Sequence, residues 1–122
     1  MVKNMRGDSN SNIQDLKELV GKFIHDREWE KFHNPKDLAE AICIEAAELL
    51  EVFQWIPSDE VVRQIDNPSN LKRIEEELAD VLVYCLSLAN VTDIDLTNAV
   101  VNKLDKNSAK YPVEKYRGRA HL

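Results

Sequence analysis

Two pairs of acidic residues are the part of this sequence with the clearest chemical potential. Glu45 and Glu48 are three residues apart, as are Glu77 and Asp80, so each pair would lie on one face of a helix. Carboxylate oxygens are the ligands that hard Mg²⁺ prefers in proteins. The four acids therefore indicate a magnesium site, with a solvated acidic edge as the alternative.

Both pairs interrupt stripes of apolar residues at helical spacing. The first stripe is Leu38, Ala41, Glu45, Glu48, Val52 and Trp55, and the second is Ile74, Glu77, Val81, Tyr84 and Leu88. An unpaired carboxylate in an apolar core is costly, so such acids need a cation or an open cleft. If the two helices pack side by side, four carboxylates converge and a divalent ion would neutralise them.

Few residues interrupt the helices that position these acids. Three glycines and four prolines in 122 residues favour long helices over short strands. Cap residues and breakers predict helices starting at about residue 11 or 12, then over 35–55, over 58–65 behind Ser58, over 69–89 behind Ser69, and from a cap at Asp93 or Asp95 to residue 110. We therefore predict an all-α, four-helix-bundle-like protomer with an additional short helix.

The domain spans residues 12–112 in this prediction, between a flexible tail over 1–11 and a polar tail over 113–122. The last helix is expected to bury Leu96, Ala99, Val100 and Leu104. Cys43 and Cys85 lie in apolar helical patterns, so we expect two buried, reduced thiols.

Charge and hydropathy exclude several classes of partner. A net charge of −6 without a basic stripe argues against binding to a nucleic acid polymer. No apolar run approaches the roughly 20 residues that span a membrane, and residues 1–12 lack a secretory signal. We therefore expect a cytoplasmic protein with no membrane partner.

Other metals and phosphate motifs fit the sequence less well. Di-iron bundles use Glu-x-x-His pairs, but no histidine stands three residues after a relevant glutamate. The Cys and His residues show no zinc-ligand spacing. There is also no Gly-rich phosphate loop and no Ser or Cys beside a His, so water activated by metal is the economical nucleophile.

The acid pattern resembles a known family, the all-α nucleoside triphosphate pyrophosphohydrolases of the MazG and dimeric dUTPase superfamily. The shared signature is Glu45-x-x-Glu48 and Glu77-x-x-Asp80, separated by residues 49–76. Four segments resemble the dCTP pyrophosphatase branch: 29–33 (WEKFH), 48–55 (ELLEVFQW), 77–84 (ELADVLVY) and 103–112 (KLDKNSAKYP). The resemblance covers roughly residues 13–112 and implies a protomer of the MazG type.

This resemblance implies hydrolysis of a (deoxy)nucleoside triphosphate, with dCTP-like substrates favoured, to the monophosphate and pyrophosphate in nucleotide pool sanitation. It assigns the four acids as catalytic residues and metal ligands, and it implies more than one Mg²⁺ in each site, for which Mn²⁺ could substitute. The substrate contacts that it implies are Trp29, Trp55 and Tyr84 around the base, and Lys103, Asn107, Lys110 and Tyr111 around the triphosphate. His33 is a further predicted substrate contact, with organisation of its loop as the alternative. Family members are homodimers or homotetramers, so self-association is expected.

One position departs from the dCTP-cleaving relatives. They carry a base-contacting histidine nine residues before the tryptophan, where this sequence has Val20, which cannot hydrogen-bond to cytosine. The alternatives are therefore a pyrophosphohydrolase for another nucleotide, such as a modified deoxynucleotide or phosphoribosyl-ATP, and a helical interaction module without activity.

Overall fold

The computed structural model describes residues 7–120, and that range contains helices and turns but no strand. The helices are α1 (Ile13–Asp26), α2 (Pro35–Glu51), α3 (Pro68–Thr92), α4 (Leu96–Lys110) and the short α5 (Val113–Tyr116). Three 3₁₀ turns accompany them, at Asp8–Asn10, Glu30–Phe32 and Val61–Asp66. The predicted all-α class is confirmed, and the turn at Val61–Asp66 occupies the place of the additional short helix.

Side-chain caps begin α1 and α2 where the sequence predicts them. The side chain of Asn12 accepts a hydrogen bond from the backbone N–H of Asp15 at 2.8 Å, and the Asp15 carboxylate accepts one from the N–H of Asn12 at 3.0 Å. Asn34 accepts from the N–H of Asp37 at 2.9 Å, with Pro35 in the first turn. These bonds satisfy backbone donors that have no partner within the helix.

Two other predicted caps are wrong. At the start of α3, the side chain of Asn67 accepts from the backbone N–H of Ser69 at 2.9 Å, so Asn67 takes the role expected of Ser69. Ser58 begins no helix, because the 3₁₀ turn starts at Val61. For α4, the side chain of Asp95 is the cap.

The ends of α2 and α3 also differ from the predictions. α2 ends at Glu51 rather than at Trp55, and a tight turn follows in which the N–H of Phe53 donates to the carbonyl of Leu50 at 2.9 Å. α3 continues to Thr92, three residues beyond the predicted end. It stops there because Asp93 adopts a left-handed φ of 56°.

The chain divides into two compact units, one ending at Thr92 and the other beginning at Asp93. In the first unit, α1 and α2 both pack against α3. The buried apolar side chains are Val20, Ile24, Leu38, Val52, Leu86 and Ala89. This is a small core for three helices, so much of their apolar surface lies open.

Several residues that the sequence predicts to be buried are exposed. In the second unit, Val100 and Leu104 on α4 are more than half exposed. In the first unit, Cys43 is exposed and Cys85 is only half-buried, although both cysteines are free thiols. Helical periodicity identifies an apolar face correctly, but it does not say whether the same chain covers that face.

Residues 7–120 contain no helix with the combination of length and apolarity that crossing a membrane requires. Residues 1–6 and 121–122 lie outside the described part of the chain, so the predicted tails are only partly described.

The cap of α2 gives a direct test of this local structure. Asn34→Ala removes the acceptor for the N–H of Asp37, so we expect the free energy of unfolding to fall by about 1 kcal/mol. Urea unfolding at one fixed protein concentration measures the change. Asn34→Ser is the matched control because serine keeps a capping oxygen; if both variants lost the same stability, the cap would not be the cause.

Candidate metal centre and adjoining cleft

Three of the four predicted acids meet where α2 packs against α3. Glu45, Glu48 and Glu77 each place one carboxylate oxygen within 4.8 Å of the others. Glu45 and Glu77 are half-buried, whereas Glu48 is exposed. Asp80 lies one turn after Glu77, outside this group of three, and it is exposed. We call Glu45, Glu48 and Glu77 the acid cluster.

The cluster raises the pKa of two of its members, Glu45 and Glu77. Burial, a hydrogen bond that the protonated carboxyl of Glu45 donates to Glu48, and the charges of Glu48, Asp80 and Glu77 raise the pKa of Glu45 to about 7. Burial and the charges of Glu48 and Asp80 also raise the pKa of Glu77, and Arg73 partly opposes that rise. Desolvation and like charges both disfavour the ionised form, so the cluster is electrostatically strained when every acid is charged.

The cluster also contains carboxylate oxygens without a partner. The Oε2 atoms of Glu45 and Glu77 are buried and make no hydrogen bond. Buried polar atoms normally have a partner, and a divalent cation would supply one while neutralising the charges. An all-oxygen ligand set suits Mg²⁺ better than zinc or copper, so these residues fit the predicted ion.

A cleft of about 470 Å³ adjoins the cluster in the first unit. Its lining residues are Leu19, Val20, Phe23, Ile24, Trp29, His33, Glu45, Asp80, Val83, Tyr84 and Ser87. This volume is within the range of small-molecule sites. Glu45 and Asp80 therefore line the same cavity as three of the predicted substrate contacts, Trp29, His33 and Tyr84.

The aromatic walls of the cleft are braced by their neighbours. The rings of Phe23 and Trp29 meet edge to face, with centroids 5.8 Å apart. The guanidinium of Arg27 lies 3.7 Å from the centroid of the Phe23 ring, which is a cation–π contact. The rings of His33 and Tyr84 lie 6.3 Å apart. The segment between α1 and α2 thus supplies Trp29 and His33 to the lining of the cleft, and α3 supplies Tyr84.

Sequence reasoning missed several residues of this cleft. Phe23 and Ser87 line it, and Arg27, outside the lining, packs on the ring of Phe23; none of the three is a predicted site residue. The charge and aromatic pattern of residues 23–29 was the available signal for Arg27 and Phe23. No sequence signal marks Ser87, because only the packing of α1 against α3 buries it.

Five predicted substrate contacts do not line this cleft. One of them is in the first unit and four are in the second. The side chain of Trp55 follows the end of α2, is 86% exposed and does not line this cleft. The other four are Lys103, Asn107, Lys110 and Tyr111, on α4 and its C-terminal cap. Within their unit, the backbone N–H of Tyr111 donates to the carbonyl of Asn107 at 2.7 Å. The role of these residues in binding triphosphate stays a prediction.

Comparison with known proteins decides the family. Residues 41–121 match the MazG-like family. The chain belongs to the MazG-like family. It is 39% identical to dCTP pyrophosphatase 1 of Bos taurus over 112 residues. This alignment covers 92% of this chain and 66% of the relative. It is 40% identical over 108 residues to dCTP pyrophosphatase 1 of Rattus norvegicus, covering 88% of this chain and 64% of the relative.

A solved structure is also similar. The crystal structure of a pyrophosphatase from Archaeoglobus fulgidus matches with a TM-score of 0.77 and 40% sequence identity, over 88% of this chain and 99% of that one. The MazG-like chain thus spans about two thirds of the length of the mammalian relatives, 64–66%, and nearly all of the archaeal one. The predicted family and its dCTP pyrophosphatase branch are confirmed.

The raised pKa of Glu45 predicts that the metal-free MazG-like protein loses stability as the pH rises. From about pH 4.5 to about pH 7, the folded carboxyl retains a proton that the unfolded one releases. The folded state then binds more protons, so the free energy of unfolding falls with rising pH. We expect a fall on the order of 1 to 2 kcal/mol in urea unfolding with EDTA, because solvent screens part of the effect.

Glu45→Gln should flatten this pH dependence, since the variant cannot ionise. Glu51→Gln is the matched control, because Glu51 is an exposed glutamate on the same helix. An unfolding free energy that rose across this pH range, or an unchanged slope in Glu45→Gln, would contradict the assignment.

Proposed function

We propose that this MazG-like protein hydrolyses a (deoxy)nucleoside triphosphate to the monophosphate and pyrophosphate, with Mg²⁺ as cofactor and dCTP-like substrates favoured. The observation that carries the proposal is the acid cluster, three carboxylates within 4.8 Å beside an aromatic-walled cleft. The names of the relatives support it, since the mammalian ones are dCTP pyrophosphatases and the archaeal one is a pyrophosphatase.

The acids would hold the metal. Glu45, Glu48 and Glu77 supply the converging oxygens, and Asp80 lines the same cleft as Glu45. When bound, Mg²⁺ would neutralise these acids and the phosphate oxygens and make a water more acidic. The partnerless Oε2 atoms of Glu45 and Glu77 are the best placed to gain from the ion.

A carboxylate of the acid cluster would also accept the proton that the attacking water loses. The oxygen of water bonds to the α-phosphorus, the bond from that phosphorus to the bridging oxygen breaks, and pyrophosphate leaves.

The aromatic part of the cleft would hold the base. The side chains of Trp29 and Tyr84 line it and offer ring faces for stacking. Val20 lines it too and presents only methyl groups. The preferred base is therefore decided by other side chains of the cleft, and a modified nucleotide or phosphoribosyl-ATP is the second candidate that a substrate panel should include.

Self-association is the second part of this proposal. On α2 and α3, large apolar side chains remain exposed, including Ile44 at 59%, Leu50 at 62% and Leu78 at 55%. Large exposed apolar patches commonly mark an interface. A homodimer or homotetramer would bury it, since homo-oligomers with closed symmetry are the commonest assemblies.

Light scattering should therefore give two or four times the mass of one chain. Leu50→Asp should shift the protein towards smaller species, because a charge at an apolar interface is costly to bury. Glu51→Gln, at the next position of the same helix, should keep the wild-type mass. A monomeric wild-type protein at micromolar concentration would contradict the assembly.

Pyrophosphate release from a panel of nucleoside triphosphates, with Mg²⁺ or with EDTA, tests the proposed activity. We expect Mg²⁺-dependent turnover of at least one pyrimidine deoxynucleotide. Glu48→Gln and Asp80→Asn should lower kcat/KM on the order of 100-fold or more, because each removes a charged metal ligand.

Both substitutions replace exposed residues, so helicity by circular dichroism and mass by light scattering should not change. Glu51→Gln serves as the control for losing one glutamate from α2. Near-full activity in Glu48→Gln or Asp80→Asn would show that the metal assignment is wrong. Absence of turnover on the whole panel would instead favour a helical interaction module.

A further inference from the structure

Ser87 contributes a buried hydroxyl that the fold leaves without a partner. Its side chain is on α3, three residues after Tyr84, and the residue is only 4% exposed. Its Oγ makes no hydrogen bond, although Ser87 lines the 470 Å³ cleft. A buried hydroxyl normally has a partner because losing water is costly. A molecule in the cleft is one source of that partner.

A second partnerless atom lines the same cleft. The Nδ1 atom of His33 is buried and makes no hydrogen bond. Ser87 and His33 also line a smaller cavity of about 80 Å³, together with Glu30 and Asn90. The wall shared by the two cavities thus carries two unsatisfied polar groups, from different elements of the first unit.

The rest of the cleft shows which part of a nucleotide would meet this wall. The acids Glu45 and Asp80 belong to the phosphate end, where metal would bind. The remaining lining is aromatic or aliphatic, apart from the polar atoms of Trp29 and Tyr84. A flat ring with polar atoms on its edge fits such walls, because its faces can stack while its edge needs hydrogen bonds.

We propose that the Ser87 hydroxyl is a hydrogen-bonding contact for the edge of the nucleobase, with His33 Nδ1 as the second polar group of the same wall. This inference rests on the proposed function and adds Ser87 as a residue that contributes to recognition of the base. A hydroxyl donates and accepts, so Ser87 can serve an amino or a carbonyl group. A base with an amino or a carbonyl group on its edge, such as cytosine or uracil, therefore suits Ser87.

Ser87→Ala tests this contact when the substrates differ only in the base. The substrates are dCTP, dUTP and the base-free 2-deoxyribose 5-triphosphate, each with Mg²⁺ and with pyrophosphate release as the readout. We expect kcat/KM for both nucleotides to fall about three- to tenfold, the effect of one neutral hydrogen bond. The base-free compound has no edge to bind, so its kcat/KM should not change.

Ser69→Ala is the matched control, because Ser69 is an exposed serine on the same helix and should leave all three values unchanged. The melting temperature of Ser87→Ala should equal or exceed that of the wild type, since the substitution removes a buried hydroxyl without a partner.

Three results would overturn the proposal. An equal loss on the base-free compound would mean that Ser87 acts on the protein structure, as would a marked fall in melting temperature. Unchanged kcat/KM for dCTP and dUTP would mean that the hydroxyl does not contact the base, and that water satisfies it. A wild-type protein inactive on every nucleotide would contradict the proposed function itself, a result distinct from these.

Discussion

Repulsion among converging carboxylates is the constraint on which the rest of this structure depends. The packing of α2 against α3 brings Glu45, Glu48 and Glu77 within 4.8 Å, and their charges and burial push the pKa of Glu45 to about 7. Stability alone does not favour three acids at this place, because like charges repel and Glu45 and Glu77 are partly desolvated. A divalent cation bound to these carboxylates would neutralise their repulsion.

The cleft beside the acids has two kinds of surface, one acidic and one aromatic. The acids suit metal and phosphate, whereas Trp29 and Tyr84 suit a flat ring. Ser87 and His33 add hydrogen-bonding atoms that the protein leaves unsatisfied. Unsatisfied groups in a preformed cavity can discriminate between ligands, because the wrong ligand leaves them unpaired. In the proposed function, base recognition and hydrolysis therefore occupy adjoining regions of one cavity.

The small core connects this site with assembly. Leu38 and Leu86 are almost fully buried, yet Ile44 and Leu50 on α2 are mostly exposed. The helix that carries Glu45 and Glu48 therefore has one face on α3 and another that is open. A second chain covering the open face would reduce the freedom of α2, and with it the freedom of the acids.

The sequence by itself determined the helical class, the cap at Asn34 and the family, because these depend on local spacing and on motifs. It left the first cap open between Ser11 and Asn12 and the last between Asp93 and Asp95, and the structure shows Asn12 and Asp95. It also placed the acids on two apolar stripes. Helix ends were less predictable: Asn67 replaced Ser69 as a cap and α2 stopped before Trp55, since competing turns decide them. Only the tertiary structure decided which acids meet, that Val100 and Cys43 are exposed, and that Ser87 is buried without a partner. Those properties depend on packing between distant segments, which periodicity cannot specify.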